Sequence, residues 1–122
     1  MASSSAPKVL TFKASAAIEA YRAVKFGADD QHVTKSSAAT DKNFGIAQNA
    51  CTAAEDACEV AINGGGAKAS LGGTVARGDY LTSDANGQLV ATTTEGDNVI
   101  AQAMESGVLN DVIGVEVTSF NH

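Results

Sequence analysis

From Tyr21 to Val117 apolar residues recur at every second position in runs of four to seven residues, and most runs stop at Gly, Asn, Asp or Ser. A side-chain period of two places alternate residues on opposite faces of a strand, so the pattern predicts β structure and disfavours helix. The runs are YRAVKF (21–26), HVTK (32–35), FGIAQN (44–49), CEVAI (58–62), AKASL (67–71), DYLTS (79–83), LVATT (89–93), VIAQAM (99–104) and DVIGVEV (111–117). VLTF (9–12) is a shorter piece able to pair as a strand, whereas ASAAIEA (14–20) has helix-forming composition but is too short to stand alone. CEVAI-NGGG-AKASL reads as a hairpin across a glycine turn. The Asn86-Gly87 pair is what a type I′ hairpin turn requires. Many short strands with short turns predict an all-β fold, a small sandwich or barrel of antiparallel strands.

The chain also repeats itself. Ile46-Ala47-Gln48 returns as Ile100-Ala101-Gln102, and GADDQHV (27–33) aligns with DANGQLV (84–90). A unit of hairpin, loop, IAQ strand, loop and closing strand therefore occurs twice, over about 20–62 and 79–117. The division expected is an N-terminal arm over 1–17, one β domain over 18–118 and a tail over 119–122. The arm begins with the polar leader MASSSAPK, which shows no basic region followed by an apolar core and so no secretory signal. It carries the β-prone VLTF. Pro7, Lys8, Val9, Leu10, Thr11 and Phe12 are the candidate partner-binding residues, because an exposed strand of this kind can add to a sheet edge.

Composition limits the chemistry. The 122 residues include 23 alanines, no tryptophan, four phenylalanines and two tyrosines, so large core-forming side chains are scarce and burial is expected to be shared with a partner. Eight basic residues are scattered against 14 acidic ones, a net charge of −6. That distribution offers no basic patch for nucleic acid or an anionic membrane. Catalysis needs a nucleophile with a base, paired carboxylates or a metal. His32 lies near Asp29 and Asp30 in sequence, but no serine sits in a GxSxG elbow, so His32 reads as a hairpin histidine and the chain as a non-enzyme. Asp29, Asp30, Glu55, Asp56 and Asp84 follow no calcium-loop pattern and read as turn carboxylates. NGGG leads into a strand, so it is not a phosphate loop. Arg77-Gly78-Asp79 spells an adhesion tripeptide in a context that reads as a turn feeding a strand. Cys51 and Cys58 read as two small, half-buried thiols, consistent with assembly in a reducing cytoplasm, with a disulfide across the loop as the alternative. No cofactor and no metal site is expected.

TVARGDYLTSDANGQLV (74–90) carries the pattern small-x-x-Gly-Asp-x-Leu-x-x-Asp-x-x-Gly-x-Leu-Val. It resembles the small bacteriophage capsid cement, or head decoration, proteins. AYRAVKFGADDQHV (20–33), FGIAQNACTAAEDACEVAINGG (44–65) and VIAQAMESGVLNDVIGVEV (99–117) resemble, in order, that family's opening hairpin, its middle segment and its closing strands. GADDQ departs from the family, which often has Gly after Asp. The resemblance implies a non-enzymatic virion protein, made in the host cytoplasm, that binds the outer surface of the phage head. There it would clamp neighbouring major capsid subunits of the expanded shell, as a homo-oligomer and by analogy a homotrimer. The rival readings are another phage structural module, of tail or baseplate, and a small ligand-binding β-sandwich.

Overall fold

Every alternating run forms a strand. The computed structural model describes residues 8–27 and 29–121. In chain order the strands are β1 Val9–Ala14, β2 Ala23–Phe26, β3 His32–Lys35, β4 Asn43–Ala47, β5 Ala57–Ile62, β6 Gly66–Ser70, β7 Tyr80–Ser83, β8 Leu89–Ala91, β9 Asn98–Ala103 and β10 Val112–Asn121. The fold is all-β. The first five strands close a barrel in the order β1-β3-β2-β4-β5, and β6 to β10 form a five-stranded sheet in the order β6-β10-β9-β7-β8.

These two orders are the same order. In each unit the first strand pairs antiparallel with the fifth, the fifth with the fourth, the fourth with the second, and the second with the third. The circle closes in the first unit through parallel pairing of Lys13 and Ala14 with His32 and Val33. In the second it is reduced to one parallel bridge, Leu71 to Leu89. The loops match bond for bond. Tyr21 N–H donates to Ala47 and Gly78 N–H to Ala103; Glu55 N–H donates to Ala14 and Asn110 N–H to Leu71. Ile18 bridges Cys51 as Val75 bridges Gly107. Even the left-handed residues coincide, Tyr21 with Gly78 and Glu55 with Asn110.

This register shows that the two IAQ triplets are not equivalent. Ala47 corresponds to Ala103, so Ile46 corresponds to Gln102 and not to Ile100. A slip of two residues keeps every side chain on its original face, which is why the triplets align by eye. Three other expectations change. CEVAI and AKASL do not pair: β5 lies between β1 and β4, and β6 pairs with β10, so NGGG is the linker between units. Alternation specifies faces, not partners. At Asn86-Gly87 only Gly87 has positive φ, 75°, and its N–H returns to the Asp84 carbonyl at 3.3 Å. That geometry is a turn with glycine in the final, left-handed position rather than type I′. The arm expected over 1–17 is, from Val9 onward, the first strand of the chain's own barrel, because β5 supplies a complete antiparallel edge from Val9 to Lys13.

The units stack face to side. Val24, Ala47 and Val60 point into the first barrel, whereas their neighbours Ala23, Ile46 and Ala61 join the core of the second unit with Leu71, Leu81, Leu89 and Ile113. Tyr21 accepts the Ser70 N–H and Ala23 donates to Gly87, so the start of β2 bridges the loosely closed side of the second sheet. Tyr21 holds φ at 66° to do so, an unfavourable conformation for a bulky residue that its counterpart Gly78 adopts freely. The corresponding outer face of the second unit carries the exposed or half-buried Tyr80, Gln102 and Glu116, and the stacking ends there.

Cys51 and Cys58 are not the half-buried thiols expected: both are buried and joined by a disulfide, because the 51–58 loop folds back and brings the two side chains together. The second unit explains it. Where the first unit has Ala14, Cys51 and Cys58, the second has Leu71, Gly107 and Ile113, and a Cβ on Gly107 would lie 2.8 Å from Leu71 and 2.9 Å from Ile113. One unit fills this site with two large aliphatic side chains, the other with a sulfur bridge beside an alanine. Replacing both cysteines by alanine should cost about 2–4 kcal/mol, from the released loop and the cavity left behind. The triple change A14L/C51G/C58I should recover most of that loss, as read from denaturant midpoints of the three proteins.

Candidate functional site

The candidate arm residues occupy the rim of the first barrel. Pro7 lies outside the described residues. Lys8 accepts the Ile62 N–H through its carbonyl, and Val9, Leu10 and Thr11 are exposed. Thr11 donates from its hydroxyl to Glu59 at 2.6 Å across the β1–β5 pair. Phe12 is half-buried against the barrel core. Because β3 meets β1 only at Lys13 and Ala14, Val9–Phe12 pair along β5 and not along β3.

Phe12 is one member of an aromatic cluster. Its ring meets Phe44 edge-on at 5.5 Å, and Phe44 stacks on Phe26 at 4.2 Å with the planes 7° apart. Asn43 pairs with Lys25 and Gly45 with Val24, so Phe44 is the extra residue of a β-bulge. Bulges re-aim the side chains they carry, and here the bulge sets Phe44 between the other two rings. Phe26 is 59% exposed. A second aromatic pair, Tyr80 and Phe120, meets edge-on at 5.1 Å. A depression of about 390 Å³ lies between the groups, bordered by Phe26, Phe44 and Phe120 with Lys42, Asn98 and Asn121. No aromatic residue belongs to the buried core. Sequence reasoning missed this cluster, although Phe26 closes a strand just before a turn and Phe44 opens one just after a polar loop, positions that end up on a barrel rim.

The titratable groups are used for closure. His32 lies between two carboxylates, Nδ1 2.7 Å from Asp29 Oδ1 and Nε2 2.6 Å from Glu55 Oε2, with Lys13 Nζ 3.9 Å from the other Glu55 oxygen. Hydrogen bonding to Asp29, and then to Glu55, raises the imidazole above its ordinary 6.5. The same bond from His32 holds the Asp29 carboxyl below 3.8. The clamp ties the β2–β3 hairpin to the disulfide loop. The second unit makes the same tie without charge: Gln88, at the position of His32, donates to Asn110 Oδ1 at 2.9 Å and to Ser70 Oγ at 3.1 Å. Two other turn carboxylates bond their own backbone. Asp56 accepts from Thr52 and Ala53, and Asp84 from Asn86 and Gln88. Asp79 of the Arg-Gly-Asp triplet accepts the Ala76 N–H at 3.0 Å, so this acid closes a turn. Among the described residues no group of three or more His, Cys, Asp or Glu side chains is placed to hold a metal ion, and no helix is long and apolar enough to cross a membrane.

A pair of stacked five-stranded β units with short polar turns is thus the class of architecture. No protein-family model matches the sequence, and no curated protein matches it. Among solved structures the chain is similar to the N-terminal base of head fiber gp8.5 of bacteriophage phi29, with a TM-score of 0.67 over 95% of this chain and 99% of that one. The two share 19% sequence identity, so the likeness lies in the fold.

The clamp predicts a pH dependence with a definite sign. A group whose folded pKa is raised contributes fully below its unfolded value, here 6.5, and loses that contribution as pH rises through the folded value. Asp29, lowered, loses its share as pH falls through its depressed folded value. The double change H32Q/E55N installs the second unit's neutral pair. Thermal melts should show the unmodified protein gaining most over H32Q/E55N below pH 6.5, with the gap narrowing as pH rises through the raised His32 value.

Proposed function

We propose that the protein is a virion structural protein of a bacteriophage, carried on the outer surface of the head, where it binds the major capsid protein and cements neighbouring subunits of the expanded shell. The observation that carries this reading is the whole-chain likeness in fold to the phi29 head fiber base. The sequence resemblance to head decoration proteins agrees with it. On this reading the protein is not an enzyme and works as a homo-oligomer, by analogy a homotrimer, with no role for nucleic acid or membrane.

Three features of the chain suit that role. Three of its aromatic side chains, Phe26, Tyr80 and Phe120, are exposed at the surface, where apolar rings suit association. Its turn aspartates Asp56, Asp79 and Asp84 are engaged by the backbone of their own turns, as suits a rigid structural part. Its disulfide suits a protein whose working life is spent outside the cell, although its chain is made in the host cytoplasm. The mechanism is mass action: a ligand that binds the mature shell and not its ruptured form stabilises the shell. The candidate residues Pro7–Phe12 are proposed to take part in the shell contact, with Val9 and Leu10 offering exposed apolar side chains at the barrel rim.

Co-sedimentation of the purified chain with undecorated heads of its phage, before and after expansion, tests the proposal. Binding to expanded heads alone, saturating at a fixed ratio to the major capsid protein, is expected. Pelleting with neither form would remove the head reading and favour a tail or baseplate part.

A further inference from the structure

The two units build one turn with different surfaces. In Ala53-Ala54-Glu55-Asp56 and in Val108-Leu109-Asn110-Asp111 the aspartate carboxylate accepts the first residue's N–H, at 3.1 Å and 2.9 Å. The aspartate N–H returns to the first residue's carbonyl, at 3.3 Å and 3.0 Å, and the third residue takes positive φ, 72° and 69°. This turn asks nothing of the side chains at its first two positions, and the first unit makes it with alanines. The second unit places Val108 and Leu109 there, 54% and 58% exposed, followed by Val112 at 47% where the first unit has Ala57. The first unit is therefore an internal control: three large apolar side chains stand in water at a turn whose geometry does not need them.

The rim is arranged around them. Glu105 accepts the Gly114 N–H at 2.8 Å, and Asp111 is engaged within the turn, so both nearby acids are held by backbone beside the tip. Arg77 donates its backbone N–H to Ser106 Oγ at 3.2 Å, joining the neighbouring turn to this loop.

We propose that Val108, Leu109 and Val112 form the tip by which the protein seats in an apolar cleft on the outer face of the phage head shell. The proposal rests on the head reading above and assigns it a surface. Three side chains fall far short of the roughly 800 Å² per partner that a specific stand-alone complex buries. A second copy meeting this tip head-on would also oppose Glu105 and Asp111 to their own counterparts in a chain of net charge −6. A small apolar contact is effective where many copies engage a repeating lattice, since each further contact then forms at high effective concentration. Branched aliphatic side chains with no polar atoms suit a cleft of the same character.

The test is V108A/L109A/V112A, which gives the second unit the side chains the first already folds with, and L109K, which puts a charge on the tip. Each is compared with the unmodified protein for unfolding midpoint, free sedimentation coefficient and binding to expanded heads. The expected result is an unchanged midpoint and sedimentation coefficient with head affinity reduced at least about tenfold in both variants, about 1.4 kcal/mol. Unmodified protein that binds heads, with variants that bind equally, would overturn the assigned surface and leave head association standing. Variants that sediment as smaller species would overturn it in favour of a contact between copies. Unmodified protein that binds no heads would overturn both.

Discussion

The structure depends on how the first strand of each unit is held by the loop that enters its last strand. Ala14 and Leu71 each donate to an aspartate carbonyl, Asp56 and Asp111, and each accepts from the left-handed residue just before it. This reciprocal pair brings the two ends of a five-strand segment together, so the strands between them must curl. Short alternating strands with little bulk leave edges exposed, and closure removes them. The loosely closed second sheet is completed by the first unit, whose Tyr21 and Ala23 bond to Ser70 and Gly87.

One backbone therefore supports two sets of side chains, and their comparison separates what the fold requires from what it tolerates. The space beside the first strand is filled by a disulfide in one unit and by Leu71 and Ile113 in the other. The loop-to-hairpin tie is a His32–Glu55 hydrogen bond in one and an amide pair, Gln88–Asn110, in the other. Both solutions satisfy the same geometric demand, so each has a structural duty. The exception is a feature present in one unit at a turn whose geometry does not need it: the apolar tip of the second.

The strands and the doubling are legible in the sequence because period-two alternation and turn residues are local properties. Partners are not local, which is why β5 and β6 look like a hairpin across NGGG and are in fact separated into different sheets. Register is equally hidden, since Ile46 and Ile100 share a face pattern but stand two residues apart in equivalence. The fate of Cys51 and Cys58 depends on a turn that folds the chain back on itself, and the aromatic cluster on a bulge at Phe44; neither has a composition signal. Of the candidate binding residues, Val9–Phe12 appear in the sequence as a β-prone leader, yet their pairing with β5 is a long-range contact. Val108, Leu109 and Val112 become conspicuous only once Ala53, Ala54 and Ala57 are recognised as their counterparts.

The central claim is that a doubled β unit, with the fold of a phage head fiber base, sits on the outside of a head and meets it through the end of its second unit. A near-atomic reconstruction of expanded heads saturated with the protein tests it most directly. The account predicts ordered density outside the shell in which the 105–112 loop enters an apolar cleft, with the Tyr21–Ser70 seam between units intact. Density in which that loop points to solvent, or an absence of added density on saturated heads, would contradict it.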